Sequence, residues 1–96
     1  MNNIIYDVLL EQRDYKPIVG YVGEPKYICV FCDESRKAAL KAMRDYVKKN
    51  GFVTPDKQST VADVVLRERK TTGEVINITT YHKLFNTVTG ELWENA

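Results

Sequence analysis

The sequence predicts an α+β domain: an antiparallel sheet of about five or six strands with a single helix packed on one face, in the order β-β-β-α-β-β-β. Three observations carry this. Residues 34–50 repeat apolar side chains at helical spacing and stop at a glycine. Residues 4–32 are rich in β-formers, and residues 61–93 read as a meander of strands with glycine turns.

The first run, Ile4-Ile5-Tyr6-Asp7-Val8-Leu9-Leu10, fits two periods. Alternation puts Ile4, Tyr6, Val8 and Leu10 on one strand face, whereas helical spacing groups Ile5, Val8 and Leu9 behind Asn3. Leading β-branched and aromatic residues favour a strand. Residues 13–17 then form a turn, residues 18–22 a second short strand, and Gly23-Glu24-Pro25 a tight turn. The run KYICVFC, residues 26–32, is apolar on both faces, as expected of a central, covered strand.

Asp33 suits the N-cap of the helix and Glu34 its first turn. Ala39, Leu40, Met43, Tyr46 and Val47 share the apolar face. Gly51 is expected at C′ with positive φ, and Phe52 to pack back on Val47. Residues 53–60 form a polar connection. Thr71-Thr72-Gly73 and Val88-Thr89-Gly90 each suit a three-residue hairpin loop. With Lys70 opposite Glu74, Leu66 faces Ile78 and Val64 faces Thr80. The opposite face then collects Arg67, Arg69, Tyr81 and Lys83, and Phe85 and Trp93 beyond the second loop. Three aromatics there call for a covering partner, a second copy, the N-terminal strands, or a bulge that turns Phe85 and Trp93 inward.

At 96 residues the chain is expected to be one domain over residues 1–96, with 44% hydrophobic residues sufficing for one modest core. A net charge of +1 argues against nucleic-acid binding by bulk charge. Met1-Asn2-Asn3 supplies no basic leader, and no run approaches the roughly 20 apolar residues of a membrane span. A cytoplasmic protein with reduced thiols and no membrane contact is the expectation.

Cys29 and Cys32 form a lone C-x-x-C. With only His82 as a further soft ligand, it is half a zinc site. Positions three apart in a strand also point to opposite faces, which makes an internal disulfide awkward. Both cysteines are therefore expected as small buried hydrophobes, and His82 as a hydrogen-bonded residue at the core edge. No catalytic residue, metal or cofactor is assigned.

The helix has six basic and two acidic residues, a balance of +4, within a chain of net +1. Lys37, Lys41, Arg44 and Lys48 fall on one stripe whose mutual repulsion favours an acidic partner. The expected function is a non-catalytic regulator or inhibitor that binds another macromolecule, most simply a protein, with a homodimer compatible. Small chains of this build are familiar from phages and mobile elements. The alternative is a nucleic-acid-binding domain that uses the helix stripe or the face of Arg67, Arg69, Tyr81 and Lys83. A thiol-dependent redox protein comes third.

Overall fold

The computed structural model describes residues 3–16, 18–50 and 61–93. The fold is α+β. Strand β1 (Ile4–Lys16) and strand β2 (Gly20–Asp33) form a long hairpin, followed by helix α1 (Arg36–Asn50). Strands β3 (Val61–Lys70) and β4 (Val75–Thr80) form a second hairpin, and a single helical turn, α2 (Tyr81–Leu84), closes the element order. The sheet has four strands, all antiparallel, in the order β2-β1-β3-β4.

The first run is a strand, and its alternation holds. Val8 and Leu10 of β1, with Val64 and Leu66 of β3, form the floor of the core. Ala39, Leu40, Met43 and Val47 of α1 lie on that floor, with Tyr6, Phe31 and Tyr46 packed around them. This is the helical face expected from the sequence. Arg36 at the start of α1 reaches Glu68 of β3 at 3.8 Å, on the same side of the sheet.

The strand count and order differ from expectation because the first third is one long hairpin. Strand β1 runs on through Lys16, and residues 18 and 19 are in a turn before β2. Gly23-Glu24-Pro25 is a bulge inside β2, between the pairs Gln12–Lys26 and Asp14–Val22. The KYICVFC run belongs to an edge strand, so Tyr27, Ile28 and Val30 are half exposed. Apolar content on both faces therefore does not mean central placement here. Two bulges and Pro25 also disrupt this edge, which limits its use as a template for another strand.

Helix α1 starts two residues later than expected, and its cap is Ser35. Ala38 N–H donates to Ser35 Oγ at 3.2 Å, while Asp33 Oδ1 accepts from Ser35 N–H at 2.7 Å. The expected stop at Gly51 and Phe52, and the connection 53–60, lie outside the described residues.

The first glycine loop has the expected three residues, whereas the second is one residue longer: Asn86 N–H donates to Glu91 O at 2.7 Å, which leaves four residues, 87–90, in the loop. Gly73 has φ +104 and Gly90 φ +75; Lys70 N–H donates to Glu74 O at 2.8 Å, and Phe85 bridges Leu92. The expected register survives only to the first pair beyond the loop. A bulge at Ile76 then moves β4 by one, so that Arg67 faces Ile78 and Leu66 faces Thr79. A one-residue shift exchanges the faces of a strand. Ile78 therefore leaves the helix side, and Asn77 and Thr79 take it.

Candidate functional site: the helix-free sheet face and the β1–β2 arm

Both helices contribute their buried residues to the core over Val8, Leu10, Val64 and Leu66. The opposite sheet face carries neither helix, and its side chains follow from register. One row across the strands is Ile5, Arg69 and Val75; the next is Cys32, Asp7, Arg67 and Ile78. A third row is Cys29, Leu9, Val65 and Thr80, and a fourth is Tyr27, Glu11 and Asp63. Leu9 and Val65, each only 2% exposed, form the apolar middle.

Asp7 is 1% exposed and sits at the centre of a two-arginine cluster. Arg67 Nε and Nη2 donate to its Oδ2 at 3.0 and 2.8 Å. Arg69 Nε donates to the same oxygen at 2.7 Å, and Arg69 Nη2 to Oδ1 at 3.4 Å. Burial pushes the Asp7 pKa up, but the hydrogen bonds from Arg69 and Arg67 outweigh it and hold the carboxyl below its ordinary value. Two guanidinium charges against one carboxylate leave a surplus of about one positive charge there.

The two cysteines border this cluster. Val30 is the extra residue of a bulge: Leu9 pairs with Cys29, Val8 with Phe31 and Asp7 with Cys32. The bulge cancels the alternation, so both cysteines face the same side. Both are exposed free thiols, contrary to the expectation of buried hydrophobes. Cys29 Sγ donates to Phe31 O at 3.2 Å and lies 4.0 Å from Asp7 Oδ1; Arg69 Nη2 reaches Cys32 Sγ at 3.7 Å. The hydrogen bond with Asp7, burial and the Asp7 charge push the Cys32 thiol up, away from the reactive thiolate. His82 is exposed, with Nδ1 3.3 Å from Thr80 Oγ1, and does not enter these thiol contacts. Among the described residues no group of three or more metal-ligating side chains occurs.

The fourth row carries opposite charge. Arg13 pairs with Glu11 at 3.0 Å, while Asp63 has no ion pair among the described residues. Burial pushes the Asp63 carboxyl up, partly offset by the Val64 N–H, and neighbouring Glu11 pushes it further.

The remaining residues expected at a site separate into different environments. Tyr81 and Phe85 are core residues, 3% and 2% exposed, and their rings stack at 4.8 Å. The outer-face placement is corrected because α2 interrupts the strand at Tyr81 and swings this segment under α1. Trp93 stays half exposed, with Nε1 donating to His82 O at 3.1 Å, and Lys83 is exposed. On α1, Lys37, Lys41, Arg44 and Lys48 are all exposed, as the stripe requires. Lys41 is paired with Asp45 at 3.0 Å. Arg44 and Lys48 line a groove of about 490 Å³ against the 87–91 turn, where Asp45 and Glu91 balance their charge.

The β1–β2 hairpin extends past the sheet. Strand β1 pairs with β3 only through Gln12, so Asp14–Lys16 with Gly20–Val22 form a two-stranded arm. At its tip Ile18 is fully exposed and Val19 largely so. Ile18 has φ +74, the only non-glycine positive φ among the described residues. For a β-branched residue that conformation is strained. Sequence reading missed this arm because proline and glycine suggested two turns where the chain makes one.

No protein-family model matches the chain, and neither curated proteins nor solved structures give a match. Among the described residues no helix is long and apolar enough to cross a membrane.

Proposed function

We propose that this is a non-catalytic binding protein, a regulator or inhibitor, that engages a protein partner through the tip of its β1–β2 arm. One observation carries the reading. Among the described residues the most exposed aliphatic one, Ile18, sits at a strained positive φ, at the end of an arm that pairs with no third strand. A glycine or asparagine there would relieve the strain and the exposure together. Folding gains nothing from isoleucine at this place; contact with an apolar pocket does.

A protein fits better than nucleic acid. Of the aromatics expected to stack on bases, Tyr81 and Phe85 are buried and Trp93 is half exposed with its Nε1 bonded to His82 O. Arg67 and Arg69 are held by Asp7, and Lys41 by Asp45. A homodimer is compatible with this reading.

The test places a photo-cross-linking residue at position 18, and a control at position 37, in cells of the native host. A partner captured from 18 alone is then titrated with wild type and with Ile18→Gly. The reading expects at least tenfold weaker binding for Ile18→Gly, with a folded state as stable as wild type or more so. Equal affinities would remove the tip from the interface.

A further inference from the structure

We infer that the outer edge of β4 pairs with itself: the β4 strands of two copies of this chain join antiparallel and make one continuous sheet. The argument rests on that edge and is independent of the arm. In the order β2-β1-β3-β4, the edges of the sheet are β2 and β4. Strand β4 pairs with β3 on one side, and among the described residues no strand pairs with it on the other. Backbone N–H and C=O groups along such a side call for an extended backbone as their partner.

The two edges differ. Edge β2 is interrupted by two bulges and carries Glu24, Pro25 and Lys26. Edge β4, Val75–Thr80, has one bulge, at Ile76, and neither proline nor charge. Val75, Ile76 and Ile78 are each close to half exposed there. Proteins guard an exposed edge with devices like those on β2. Edge β4 lacks the proline and the charges and leaves three aliphatic side chains in water, which suits it to pairing.

The edge fits a copy of itself. A two-fold axis normal to the sheet, between Ile76 and Asn77, sets Val75 of each copy opposite Ile78 of the other. Both residues lie on the helix-free face, since Val75 pairs with Arg69 and Ile78 with Arg67. Aliphatic contact then forms twice on that face, and no like charges oppose each other in the ladder. Glu74 falls beside the end of the other copy's β4, which leads into the exposed Lys83. Among the described residues Lys83 has no ion pair, and Glu74 has only an exposed one, with Lys70 at 3.0 Å. The acidic start of each strand thus meets the basic end of the other. This operation uses both β4 edges, so the assembly closes as a dimer. Joining β4 to the β2 edge of another copy would leave an open chain of sheets and would meet the bulges and Pro25. A ladder over residues 75–78 is about 13 Å long, a contact well below the roughly 800 Å² per partner of a standard interface. The dimer should therefore form only at about 100 μM chain or above.

Two experiments on the full chain test this. In sedimentation equilibrium from about 10 μM to about 1 mM, wild type should self-associate. Val75→Glu and Ile78→Lys should each weaken self-association at least tenfold, because each sets a charge against an aliphatic side chain. An equimolar mixture of the two should restore it, since one cross-pair then joins opposite charges and the other keeps the native Val75 and Ile78. A monomer throughout the range, or a mixture no more associated than either variant alone, would overturn the proposal. In the second experiment, amide hydrogen exchange of wild type is compared at about 20 μM and about 1 mM. Exchange within residues 75–78 should slow at least twofold at the higher concentration, while residues 27–30 of β2 stay unchanged. This measurement needs no substitution, so it stands even where a variant does not fold. Equal rates at β4 across the two concentrations, or slowing at β2 instead, would equally overturn the proposed pairing.

Discussion

Asp7 and Asp63 occupy the same face and respond to pH in opposite directions. Asp7 has a folded-state pKa below its unfolded value, so its stabilisation is complete above the ordinary carboxylate range near pH 4. It is lost as pH falls through the lowered folded value. Replacing Asp7 by Asn should cost about 3 kcal/mol at pH 7, toward the lower end for a broken buried pair, because the stranded arginines are partly exposed and can turn to water. Urea denaturation at pH 7 and at a series of acid pH values checks this: the two proteins should differ at pH 7 and approach each other as pH falls through the lowered value. Asp63 has a raised folded pKa, so ionisation works against the fold as pH rises through its window. Asp63→Asn should raise the denaturation midpoint of the monomer at pH 7 and leave it unchanged in acid. For Cys32, with its thiol pushed up, alkylation of the Cys29→Ser protein near pH 8 should run slower than for an unfolded cysteine peptide. A rate equal to the peptide's would show that Asp7 does not hold that thiol. The pairing around Asp7 had a legible signal. A single aspartate inside an apolar strand needs a cation, and Arg67 and Arg69 alternate on another strand. Only the pairing of β1 with β3 joins them, and one strand alone does not specify its neighbour.

Among the elements, α1 was the most legible because its apolar stripe repeats over fifteen residues. Its start was displaced because Asp33 and Ser35 are both cap-forming residues, and β2 takes the first of them as its last residue. Ser35→Ala should destabilise the protein by about 1 kcal/mol, with loss of the cap to Ala38 N–H. Asp33→Ala removes only the bond to Ser35 N–H and should cost less; the reverse order would restore Asp33 as the cap. Further along α1, reversing Lys41 and Arg44 to Glu should leave the denaturation midpoint close to wild type, since both project into solvent away from Met43 and Val47. The element that defeated sequence reading was α2. Four residues are too few for a helical period to appear, and Tyr81-His82-Lys83-Leu84 continues the alternation of β4. Yet that turn is what carries Tyr81 and Phe85 into the core.

On the scale of the whole molecule, the fold class was legible and the sheet's two surfaces were not. Alternation locates strands, but each bulge inverts everything beyond it. Val30 and Ile76 are aliphatic residues within aliphatic runs, without the glycine or proline that would mark a bulge. They move Cys29 to the side of Cys32 and turn Ile78 away from the helix. The long first hairpin also divides the molecule in a second way. From Tyr6 to Gln12, β1 is held by strands on both sides; from Asp14 to Lys16 it has β2 alone. A two-stranded ribbon without a third strand is marginal in water. Amide hydrogen exchange should therefore run as a gradient along one continuous strand, slow at Val8 and Leu10 and fast by Lys16. The bulge at Gly23–Pro25 marks the expected step, and a ribbon that pivots there would let the tip sample a cone of directions while the sheet beneath stays fixed. Capturing a partner would lower the mobility of the arm, and the cost in chain entropy would appear as slowed exchange at Asp14 and Val22, far from any change in the core.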